Sequence, residues 1–169
     1  MQYEHGAEAI PAVLKTLPEN DRISAVLLGN RFNENVLSSL ACQSDNSKVV
    51  IDILNNLPPK DRLVALQSSN ILDTVLHQLC KEPQLLVAAL KTLPEQDRGK
   101  ALLTVSSLGT RVIDKLNRDT LPSEAVSFFA TIKVPIEKDK NNNALLHSTG
   151  SFFNSGYNNN SNQLLDKSP

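Results

Sequence analysis

The hexapeptide pattern Leu-Pro-x-x-Asp-Arg occurs at Leu17–Arg22, Leu57–Arg62 and Leu93–Arg98, at intervals of 40 and 36 residues. A signature that returns at such an interval marks a structural repeat, one supersecondary unit that buries its apolar face only by stacking on a neighbour. Each copy reads as three short helices. After Pro18, Pro58 and Pro94 come acidic or polar residues and then the pairs Ile23/Val26, Leu63/Leu66 and Gly99/Leu102. A spacing of three places each pair on one buried helix face. The prolines are expected at the first helical position, where a missing N–H costs nothing. Glu19, Asp21, Asp61, Glu95 and Asp97 then fall in the first turn, where negative charge favours the helix dipole.

Turn-like runs follow at Gly29-Asn30, Ser68-Ser69-Asn70 and Ser106-Ser107-Leu108-Gly109. They lead into a second helix at 35–40, 74–79 and 111–116, in which the apolar columns Leu37/Leu76/Ile113 and Leu40/Leu79/Leu116 are kept. A third helix is predicted over 48–56, 84–92 and 123–133, with Pro83 and Pro122 at permissible positions near two of its starts. Val134-Pro135-Ile136-Glu137-Lys138-Asp139 is a worn fourth copy of the signature, and Ala144-Leu145-Leu146-His147 echoes Thr74-Val75-Leu76-His77. At the other end, Ala12–Leu17 matches Ala88–Leu93, the close of a third helix. The expected fold is therefore all-α: a solenoid of about four repeats of 36–41 residues spanning 1–147, its edge units incomplete. Eight asparagines between Asn141 and Asn162 mark the change to an Asn/Ser-rich tail, expected to be mostly irregular over 148–169.

Composition narrows the function classes. A net charge of −1 and the lack of a long basic run argue against a general nucleic-acid backbone binder. No stretch of about 18 apolar residues occurs, so no membrane span is expected. The first ten residues lack the basic and apolar regions of a secretory signal, and the chain reads as cytoplasmic. Cys42 and Cys80 lie one repeat apart and are expected as free, buried thiols of a reducing compartment. No cysteine or histidine spacing suggests a metal, and nothing implies a cofactor. No nucleophile is placed beside a base and there is no glycine-rich phosphate loop, so no enzyme is expected.

Around Asn70–Leu93 the unit resembles an ankyrin repeat, with Thr74-Val75-Leu76-His77 carrying the likeness. With the added Leu-Pro-x-x-Asp-Arg helix standing in place of the projecting hairpin, it is similar to variant repeats of effectors that intracellular bacterial pathogens deliver by type IV secretion. The resemblance covers roughly Ala12 to His147. It implies a scaffold that binds another protein, a host protein where the chain is delivered into a host cell. It also implies that His77 bonds within the scaffold. A second resemblance is to pumilio-type repeats, through Gly109-Thr110-Arg111-Val112-Ile113-Asp114. It implies single-stranded RNA reading, but the equivalent places Asn35/Thr74/Arg111 and Ser39/Gln78/Lys115 offer one strong stacking side chain, Arg111.

The candidate partner-binding residues are those that vary between units on the helix side opposite the apolar columns: Asn35, Ser38, Ser39, Thr74, Gln78, Arg111, Asp114 and Lys115. Stacked in parallel, they would form a contiguous strip. The recurring Asp-Arg pairs are read as structural, each serving its helix terminus and bridging to a neighbouring unit.

Overall fold

The computed structural model describes residues 6–31, 34–43, 46–70, 72–134, 137–138 and 144–145. They form α1 (Ile10–Thr16), α2 (Glu19–Leu27), α3 (Val36–Ala41), α4 (Ser47–Asn56), α5 (Pro59–Gln67), α6 (Val75–Leu79), α7 (Pro83–Lys91), α8 (Glu95–Leu102), α9 (Val112–Lys115) and α10 (Ser123–Thr131). Short 3-10 turns lie at Ala7–Ala9 and Arg118–Thr120. The chain is mostly helical, as expected. Two short strands, β1 (Glu137–Lys138) and β2 (Ala144–Leu145), pair antiparallel within the worn fourth copy. His147 and the expected tail, 148–169, lie outside the described residues.

Helices of the same rank lie side by side. Among the third helices α4 packs on α1, α7 on α4 and α10 on α7; among the first helices α5 packs on α2 and α8 on α5. Among the second helices α6 packs on α3 and α9 on α6. The core that results is aliphatic, as a sequence poor in aromatics requires. Its columns Leu14/Leu54/Leu90, Val26/Leu66/Leu102 and Leu37/Leu76/Ile113 run from unit to unit, and Phe129 closes it.

The signature has a different local geometry from the one expected. Pro18, Pro58 and Pro94 sit one residue before their helices, in extended backbone, and each carbonyl accepts from the N–H of Asp21, Asp61 or Asp97 at 2.9–3.0 Å. The proline thus ends one helix and starts the next, because its ring disfavours a helical residue before it. Of the prolines near third helices, Pro83 does occupy the first helical position, whereas Pro122 is again the cap.

The arginine is a clasp. Arg22 Nε donates to Leu17 O (3.1 Å), which ends α1, and Nη1 donates to Asn56 O (3.0 Å) at the end of α4. Arg62 repeats this with Leu57 O (3.0 Å) and Thr92 O (2.6 Å), at the ends of α4 and α7. Those carbonyls have no partner within their helices and carry the negative end of the dipole, so a fixed cation suits them. Arg98 departs from the pattern: its guanidinium lies 5.7 Å from the centre of the Phe128 ring and its Nε is buried without a hydrogen bond.

Candidate interaction surface

The second helices use the residues that vary between units to build the scaffold. Asn35 precedes α3 and its side chain accepts from Ser38 N (2.9 Å), while its Nδ2 reaches Ser68 Oγ of the next unit (2.9 Å). Ser38 Oγ donates back to Asn35 O (2.9 Å). Thr74 caps α6 in the same way, and its Oγ1 lies 2.6 Å from His77 Nδ1. His77 Nε2 is 2.8 Å from Thr110 O of the following unit. A carbonyl only accepts, so Nε2 carries the proton and Nδ1 takes the hydroxyl hydrogen of Thr74. His77 is fully buried and serves as an inter-unit bond of the scaffold, the role the resemblance implied.

This geometry corrects the expected binding strip. Asn35, Ser38, Thr74 and Gln78 are buried, so they are closed to a partner. The cause is the shortness of these helices: with five or six residues, the cap and the first turn already face the adjoining unit. Ser39, Asp114 and Lys115 are exposed and Arg111 is half-buried, so the strip survives only at its two ends. There Arg111 forms a two-pronged ion pair with Asp114 (2.7 and 2.9 Å), and Lys115 bonds Asp73 of the preceding unit (2.9 Å). The places that an RNA-reading repeat would turn to a base are, at Asn35 and Thr74, helix caps.

A different surface carries exposed apolar side chains. Between the first and second helix of each unit the chain makes a tight turn: Asn30 N donates to Glu34 O (2.9 Å), Asn70 N to Asp73 O (3.1 Å) and Ser106 N to Thr110 O (2.9 Å). Single antiparallel bridges, Ser69 to Thr74 and Val105 to Arg111, make the second and third turns hairpins, contrary to the expectation that the added helix replaces them. Each turn is held by a polar side chain at the same place. Asn30 Oδ1 accepts from Glu34 N, Asn70 Oδ1 from Leu72 N and Asp73 N, and Ser106 Oγ from Leu108 N and Thr110 N. Gly109, at φ +81°, supplies the left-handed residue that the third turn needs. Ser107 N donates to Leu72 O (3.3 Å), tying the second tip to the third. On the second and third tips Leu108 is 73% exposed and Leu72 and Val105 more than half exposed, while Leu28, at the end of α2 just ahead of the first turn, is 78% exposed. Phe32 and Ile71 belong to the first and second turns in sequence and lie outside the described residues.

Other features offer less. A hollow of about 430 Å³ is lined by Glu95, Gln96, Lys133 and Val134, with no nucleophile beside a base. Among the described residues no group of three or more His, Cys, Asp or Glu could hold a metal ion. No described helix is long and apolar enough to cross a membrane. Both cysteines are free, but Cys42 is exposed rather than buried, because it stands past the end of α3. Cys80 lies inside the junction between units, its Sγ 3.4 Å from Leu76 O and 3.8 Å from Val112 O. Burial pushes its thiol up to about 12, with Lys115 lowering it and Asp73 raising it by smaller amounts. No family model, curated protein or solved structure matches the chain.

Proposed function

We propose that this chain is a non-catalytic protein-binding scaffold, a short α-solenoid whose hairpin edge presents apolar side chains to another protein. The observation that carries the reading is the exposure of Leu72, Val105 and Leu108 on the second and third turns, each braced by a side chain and tied together by the Ser107–Leu72 bond, with Leu28 exposed ahead of the first turn. Large apolar side chains held outward on a rigid frame lose little conformational freedom on binding, and their burial supplies the main favourable term. A host protein is the partner that the effector resemblance implies.

Affinity capture from host-cell lysate, read by mass spectrometry, tests this. The wild-type chain is expected to retain a protein that the double variant Leu72→Asp/Leu108→Asp loses and that Ser39→Ala keeps. Retention by the double variant, with loss on Ser39→Ala, would return the binding surface to the second helices.

A further inference from the structure

In the third signature the repeat leaves a donor unused. The clasps of the first two copies reach a carbonyl three residues after a buried aliphatic side chain: Asn56 O follows Ile53 and Thr92 O follows Ala89. In α10 the corresponding residues are Phe128 and Thr131, as matching bonds show. Thr92 Oγ1 donates to Ala89 O and Thr131 Oγ1 to Phe128 O, both at 2.7 Å. A phenyl ring thus stands where the inner units carry isoleucine or alanine. Among the described residues Arg98 bonds neither Leu93 O nor Thr131 O, and its guanidinium lies 5.7 Å from the ring centre instead. Its Nε is buried without a hydrogen bond, while the terminal nitrogens, also unbonded, are left to solvent. Lys91 Nζ approaches the same ring at 5.5 Å.

Two cations therefore share one half-buried ring. Among the described residues neither forms an ion pair, and Asp97, the carboxylate next to Arg98 in sequence, is held by Lys100 (2.8 Å). The inner copies show what this guanidinium takes as partners: two oxygen atoms, Leu57 O and Thr92 O in the case of Arg62. A carboxylate presents two oxygens on one planar group and matches the fork of guanidinium N–H donors. We infer that Arg98 and Lys91, set against Phe128, form a binding site for an acidic segment of a partner protein. Singly charged carboxylates suit the site better than phosphate does. Glu95 lies one turn before Arg98 on α8 and Glu124 one turn before Phe128 on α10, both exposed and neither bonded to the two cations. Their fixed negative charge weighs about twice as heavily against a dianion as against a carboxylate.

Fluorescence anisotropy of labelled hexaglutamate, titrated at low salt with the full 1–169 chain, tests the inference. Saturable one-to-one binding is expected, weakened at least about tenfold by Arg98→Ala and less by Lys91→Ala, with helicity by circular dichroism unchanged. Lys91 is exposed, so its variant reads the site even where Arg98→Ala fails to fold. Arg98→Lys keeps the charge without the fork and should recover only part of the affinity. Lys60→Ala, which removes an exposed lysine of α5, should leave binding unchanged. So should Leu72→Asp/Leu108→Asp on the hairpin edge, which keeps failure here distinct from failure of the scaffold reading. A wild-type chain that shows no saturable binding overturns the inference. So does a loss on Lys60→Ala as large as that on Arg98→Ala, the mark of a diffuse charge effect. Displacement of the peptide by inorganic phosphate at lower concentrations than by glutarate overturns the assignment to an acidic segment.

Discussion

The second-helix columns and the hairpin tips are neighbours in sequence, with Asn35 and Thr74 only a few residues past Asn30 and Asn70. Both sets differ between units, and both consist of short polar residues beside apolar ones. The fold puts them to opposite uses. Asn35 and Thr74 turn inward, cap α3 and α6, and support the bonds to Ser68 and Thr110. Asn30, Asn70 and Ser106 spend their side chains on their own turns and leave Leu28, Leu72, Val105 and Leu108 outside. Variation from unit to unit therefore does not by itself mark a surface. In a helix of five residues a position opposite the core column can still be a cap pressed against the next unit.

The sharpest way to break that contrast is to attack a column meant to be purely structural. Leu76→Ala should cost about 2–5 kcal/mol, since the side chain is fully buried between units and its loss leaves a cavity. Urea denaturation reads this directly, and a cost below about 1 kcal/mol would mean that α6 relaxes into the gap.

The clasp arginines sharpen the comparison further, because one signature is used in two ways. Arg62→Ala removes charge-assisted bonds to the ends of both α4 and α7 and should cost about 2–3 kcal/mol. Arg98→Ala removes a ring contact and relieves a buried Nε that has no hydrogen bond, so its cost should be about 1 kcal/mol or less. Equal losses at the two positions would show that the third copy is clasped as the second is. Arg62→Lys should not restore stability, because a point charge cannot reach both carbonyls at once.

A smaller effect separates the two cysteines. Cys80 holds its proton in the folded chain up to about 12, against an ordinary value of 9.0. Between those values the unfolded chain loses a proton that the native chain keeps, so stability is intact below about pH 9 and falls as pH rises towards 12. Denaturation midpoints measured across that window should fall less steeply in Cys80→Ser. At neutral pH a thiol reagent should label exposed Cys42 promptly and half-buried Cys80 more slowly.

Much of the frame was legible from the repeat itself. The three helices per unit follow from apolar pairs at a spacing of three, such as Leu63/Leu66, and from the prolines that punctuate them. The structural use of the signature was legible for Arg22 and Arg62, because recurrence at repeat spacing selects a contact made at each junction, but no side chain caps the signature helices and Arg98 does not clasp. Several details were not. Proline at the cap rather than at the first helical position differs by one residue, which helical periodicity does not resolve. Arg98 carries the same signature as Arg62, and only the packing of α10 reveals Phe128 beneath it. The hairpin edge did carry a signal: a polar residue, Asn70 or Ser106, followed two residues later by leucine, Leu72 or Leu108. Those leucines belong to no periodic column, so a search for helical faces passes over them.

The division of labour between caps and tips is tested most directly by one paired measurement, partner capture and urea midpoint recorded side by side for Thr74→Ala and Leu108→Asp. Thr74→Ala loses a helix cap and the hydroxyl that serves His77, and should lower stability by about 1–2 kcal/mol while leaving capture intact in the folded protein. Leu108→Asp lies on an exposed tip and should move stability by no more than about 0.5 kcal/mol while abolishing capture. Loss of capture by folded Thr74→Ala, with Leu108→Asp binding as the wild type does, would contradict the account.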